Sequence, residues 1–189
     1  MLSVAAAVVG IAIVSQLMGP GNIIRMTGPD GHDYDMQNLP NKEEAVKLMA
    51  KIRESLTKLR DWYSKEPALM NDPPVARFVA RFQPDVFSEN DMHSPDTSYS
   101  ENKGQRIVVC LRDKTKPPQY PLVDMNTIMF VMLHEMAHLM TETIGHTPEF
   151  WGNFKRILHD AIKVGIYTPI NYSRQPIPYC GMMITDSPL

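Results

Sequence analysis

Residues 124 to 143, "DMNTIMFVMLHEMAHLMTET", restrict this chain more than any other stretch. They are largely apolar, begin at plausible caps in Asp124 or Asn126, and stop before Gly145, so they predict a single helix. Met125, Met129, Met132, Met136 and Met140 recur at spacings of four, three, four and four. At about 100° per residue this stripe falls opposite His134 and His138, which stand four residues apart on one face. Packing the methionines into a core turns the histidines towards a cleft or a second layer. In such apolar surroundings two unpaired imidazoles cost roughly a few kcal/mol unless something satisfies them.

A divalent metal ion is one such partner. His134-Glu135-Met136-Ala137-His138 has the form HExxH, in which two imidazoles one turn apart bind zinc and the glutamate serves as the base for a water activated by the metal. By composition such a pattern arises by chance in on the order of one in a hundred chains like this one. A catalytic zinc needs a third protein ligand and an open position. Glu142 lies a further turn along but poorly aimed, which suits a supporting or solvent role better. His146 follows Gly145, a residue that lets the chain turn back, and is favoured over Glu142 and Glu149. His32, His93 and His159 are outsiders. A second helix is predicted from the Thr147 cap, through Pro148 and Glu149 in its first turn, to Gly165 past its end.

Length and composition suit one globular domain: 189 residues, 43% of them hydrophobic. The net charge of -2 and scattered Lys and Arg residues argue against nucleic acid as a partner. Residues 1–18 carry no charge, none appears before Arg25, and the stretch is just long enough for a bilayer span. It is read as an uncleaved single-pass membrane anchor, in preference to a cleaved signal peptide or a helix buried against a partner protein. Arg25 weakly places the main domain on the cytoplasmic side. Residues 19–40, rich in Gly, Pro and Asp, read as a linker. Their "DGHDYD" piece lacks the Gly and Glu of an EF-hand loop, which disfavours calcium. The domain is expected over 41–189. It opens with an amphipathic helix from Asn41 through Ala45, Met49, Ile52, Leu56 and Leu59, and a short helix follows from Pro74 to about Phe82. Residues 83–105 read as loop with room for a hairpin, "RIVVCLR" (106–112) as a strand, and the Pro- and Tyr-rich tail as extended chain. Cys110 and Cys180 form no CxxC pair; reduced thiols are mildly favoured, with a single bridge left open.

The run 134–138 followed by Gly145-His146-Thr147-Pro148-Glu149-Phe150-Trp151 resembles the WLM and SprT-like zincin peptidases. The metzincin spacing does not fit, because His146 lies eight positions after His138. The resemblance implies an α+β fold, a zincin-like domain with an active-site helix and a small sheet beside the N-terminal transmembrane helix. It also implies a zinc peptidase acting on protein or peptide substrates, with His134, His138 and His146 on the metal and Glu135 as base. "RIVVCLR" could then receive the substrate backbone, and Tyr167, Tyr172 or Tyr179 could stabilise the transition state. Met182 and Met183 could floor the metal site, although packing is the simpler role. The anchor, the short domain and the "YCGMMITDSPL" ending are together similar to small WLM-like proteins of large DNA viruses. That likeness implies a place in a viral membrane or virion, with capsid proteins as partners. A structural or assembly role, as a minor capsid or membrane-associated protein, is therefore the alternative to catalysis.

Overall fold

The computed structural model describes residues 23–189. Its larger sheet has five strands: β1 (Ile23–Thr27), β2 (Asp33–Gln37), β3 (Phe87–Glu89), β4 (Tyr99–Glu101) and β5 (Arg106–Val109). They lie in the order β1-β2-β3-β5-β4; β1/β2 and β4/β5 are antiparallel, and β2/β3 and β3/β5 parallel. Five helices accompany it: α1 (Lys42–Lys65), α2 (Pro67–Met70), α3 (Pro73–Arg81), α4 (Met125–Met140) and α5 (Pro148–Val164). A two-stranded hairpin of β6 (Ile177–Tyr179) and β7 (Met182–Ile184) completes the described chain, an α+β arrangement.

The helices follow the apolar periodicity. On α1, Ala45, Met49, Ile52, Leu56, Leu59 and Tyr63 are buried. On α4, which packs against both α3 and α5, Met129, Met132, Met136 and Met140 have no exposed surface. The methionine face is thus core, and the opposite face is left for the histidines.

Two expectations are corrected by the strands. The linker assigned to residues 19–40 gives way, from Ile23 onwards, to the β1/β2 hairpin at one edge of the large sheet. Its turn formers, Gly28, Asp30 and Gly31, crowd a five-residue turn, and they mask the period of two in which Tyr34 and Met36 point inward while Asp33 and Asp35 pair with Thr27 and Arg25. Asp30, the other acid of "DGHDYD", accepts the Tyr34 hydroxyl at 2.5 Å and pairs with Arg53 of α1. Second, "RIVVCLR" is a strand but not an edge: β5 lies between β3 and β4, and β4 ends the sheet. The loop and hairpin read over 83–105 hold β3 and β4, the latter turning directly into β5.

The anchor expected at 1–18 lies outside the described residues. Among those described, no helix is long and apolar enough to cross a membrane. The bridge left open in the sequence is formed, Cys110 to Cys180 across 70 residues, against the expectation of reduced thiols.

Candidate metal centre

Asp124 starts α4 as expected, accepting the Thr127 amide at 2.9 Å. The helix stops at Thr141, whose hydroxyl turns back to the Ala137 carbonyl at 2.7 Å. Its last carbonyls, unpaired within the helix, are met by cations. Arg77 donates to the Met140 carbonyl at 2.7 Å and Arg81 to the Leu139 carbonyl at 2.9 Å, and just past the helix end Lys103 donates to the Glu142 carbonyl at 2.9 Å. The loop beyond is held by Glu149, which accepts the Glu142 amide at 3.1 Å and the Thr143 amide and hydroxyl at 3.3 and 2.9 Å. Those bonds hold its carboxyl below the usual range. Gly145, at φ 84°, then turns the chain so that His146 faces the helix.

The result is one cluster. The Nε2 atoms of His134 and His146 are 3.0 Å apart, and His134, His138 and His146 each offer a nitrogen within 4.8 Å of the others'. Among the described residues no other His, Cys, Asp or Glu joins them. Burial, with the two neighbouring imidazoles, pulls His134 down to about 3, and burial with His146 and Lys103 pulls His138 to about 4. At neutral pH both rings are therefore neutral, the form that donates a lone pair to a metal. Three imidazoles converging from a helix and a braced loop beside a cleft are a donor set that fits a divalent transition metal.

Glu135 stands beside the cluster, half-buried, with its carboxylate accepting the backbone N–H of Ser100 in β4. Burial pushes it up to about 7, and the Ser100 amide only partly opposes that. A cleft of about 320 Å³ opens here, lined by Ser100, Lys103, Glu135, His138, Thr143 and Ile144. A larger cavity of about 620 Å³, between α1 and the end of α5, contains none of these groups.

The other candidates lie elsewhere. Glu142 is exposed and pairs with Arg77 at 3.1 Å, while Glu149 is spent on the loop. His32 sits in the β1/β2 turn against Arg53, His93 in the turn after β3, and His159 on the exposed side of α5. Tyr167 and Tyr172 pack on Phe130, and Tyr179 is fully buried, so none of the three reaches the cleft. Met182 and Met183 are half-exposed on β7, neither floor nor core. Sequence reasoning had no means of finding Ser100, Lys103 or Arg77. Phe150 was visible only as part of a motif; it stacks on His138 with centroids 4.3 Å apart and meets His134 edge-on at 4.8 Å.

The stretch that holds the cluster is matched in comparisons with known proteins. The WLM domain model matches residues 99–173, which run from β4 through α5 and include the whole cluster. The chain is 33% identical over 155 residues to uncharacterized protein R325 of Acanthamoeba polyphaga mimivirus, covering 81% of this chain and 77% of that protein. It is 35% identical over 82 residues to uncharacterized protein 136R of Invertebrate iridescent virus 6, covering 43% of this chain and 45% of the relative. Among solved structures, Wss1 from Saccharomyces cerevisiae is similar at a TM-score of 0.49 and 21% identity, covering 68% of this chain and 86% of that one. The chain accordingly belongs to the WLM family, alongside relatives encoded by large DNA viruses.

Proposed function

We propose that this protein is a zinc-dependent metallopeptidase, tethered to a membrane by its uncharged first eighteen residues. The observation that carries this reading is the convergence of three imidazoles beside a carboxylate that opens on the same cleft. His134, His138 and His146 hold the zinc, which when bound supplies Lewis acidity that polarises the scissile carbonyl and acidifies a water.

The remaining chemistry belongs to the chain's own groups. Glu135, held by the Ser100 amide, takes the proton of the attacking water and passes it to the leaving amine. A carboxyl brought to about 7 by burial is matched to both steps at neutral pH. Among the described residues β4 ends the sheet, with no strand on its outer side, and an extended substrate adds there beside the cleft. Lys103 contributes a positive charge to the same wall.

The test uses the full chain. Wild type should bind one zinc and cut a denatured protein, whereas Glu135→Gln should keep the zinc and lose turnover by at least about a hundredfold. His146→Ala should lose the metal, and Glu142→Ala should retain it. Full zinc occupancy with no hydrolysis dependent on Glu135 would overturn the reading in favour of an architectural role in a virion.

A further inference from the structure

The ending that carries Tyr179 and Cys180 lies beyond the 99–173 stretch matched by the family, and peptide hydrolysis as described makes no use of it. Its hairpin is two strands of three residues each, too small to be stable alone. Three ties hold it to the large sheet. Cys180 is bonded to Cys110 at the end of β5, Ile184 is buried, and Tyr179 is inserted with no exposed surface.

The Tyr179 hydroxyl closes a ring of hydrogen bonds. It donates to the Cys110 carbonyl at 2.9 Å. Its one proton being used, the 2.6 Å contact with Ser98 must be donated by the serine hydroxyl. The Ser98 oxygen in turn accepts the Cys110 amide at 2.9 Å. Every donor in the ring has one acceptor, and the ring is buried, so losing one member leaves the others unpaired where water does not reach.

Ser98 stands two residues before Ser100, which lines the same cleft as Glu135 and turns its amide towards that carboxylate. Ser100 is the middle residue of β4, a three-residue strand that pairs with β5 and that Ser98 immediately precedes. So short a strand is weakly fixed by its ladder alone, and the tail supplies a second attachment at its start.

We propose that Tyr179, locked in place by the Cys110–Cys180 bridge, is a positioning residue for Glu135, acting through Ser98 and β4, and that reduction of the bridge slows turnover by releasing it. The catalytic half of this proposal rests on the peptidase reading; the structural half does not. The redox step is a dithiol exchange in which the reductant's two thiols become its disulfide, and Cys110 and Cys180 each gain a hydrogen. Cys110 is 1% and Cys180 7% exposed, so the exchange proceeds only when the hairpin lifts.

Two measurements on the full chain decide the matter. Hydrogen exchange is followed in peptides spanning residues 97–105 for oxidised wild type, wild type reduced with dithiothreitol and then reoxidised, and Tyr179→Phe. Exchange in β4 should accelerate on reduction, recover on reoxidation, and be faster in Tyr179→Phe than in wild type. Unchanged exchange there overturns the proposal whether or not the protein is an enzyme. In parallel, Tyr179→Phe and reduced wild type should show kcat lowered about tenfold per zinc-loaded molecule with KM little changed. A merely stabilising role would lower the melting temperature and leave that kcat alone, which also overturns the proposal. Failure of oxidised wild type to hydrolyse any substrate removes the peptidase reading and with it the catalytic half, while the exchange result still decides the latch.

Discussion

Phe150 stacks on His138 at an interplanar angle of 30° and meets His134 edge-on, and it has no exposed surface. Its ring restricts the directions of both imidazoles. Phe150→Ala is expected to destabilise the fold by about 3–5 kcal/mol as a buried aromatic truncation. It should also weaken zinc binding, because the rings regain freedom that the stack removes. Chemical denaturation and competition with a chelator check the two effects separately. At this scale the pair His134 and His138 was legible, since four residues is one helical turn and no other contact is needed to place the rings together. His146 was favoured on weaker ground, the freedom of Gly145. In the structure His146 joins the pair, while Glu149, an alternative ligand in the sequence, instead braces the loop.

Among the elements, the β1/β2 hairpin departs furthest from its expected role as a linker. Asp30 in its turn joins it to α1 through Arg53, with Tyr34 between. Burial alone would push the Asp30 carboxyl up, but the Tyr34 hydroxyl, the His32 amide and the Arg53 charge together hold it below its usual range. A carboxylate lowered in the folded state adds stability above its unfolded pKa of about 3.9, and that stability is lost as pH falls through the folded value. Asp30→Asn should therefore lower the melting temperature at pH 7, and the gap from wild type should close below about pH 4. Thermal melts of both proteins from pH 7 to pH 3 measure it; a gap independent of pH would mean that packing, not charge, carries the effect.

Across the whole molecule, Arg112 and Glu89 join distant segments at the centre. Both side chains are 1% exposed and the pair meets at 2.5 Å. Glu89 also accepts the Gln37 amide at 2.8 Å, and Arg112 donates to Asn41, so β2, β3, the end of β5 and the start of α1 share one network. Arg112→Leu strands a buried carboxylate and should cost roughly 3–5 kcal/mol, whereas the double replacement Glu89→Leu with Arg112→Leu should recover much of it. Urea unfolding of the three variants closes that cycle. The sequence by itself determined the features whose partners lie within a helical turn or two: the four longer helices, the caps at Asp124, Thr147 and Gly165, the buried methionine face, and the imidazoles opposite it. Only the tertiary structure decided that β4 is the edge beside the cleft, that residues 23–37 belong to the sheet, that Ser100 holds Glu135, and that Tyr179 lies behind the site and not in it. The reason is physical. Periodicity and capping are set by neighbours along the chain, while strand order, the Cys110–Cys180 bridge and the Glu89–Arg112 pair join residues tens of positions apart, whose meeting depends on how the whole core closes.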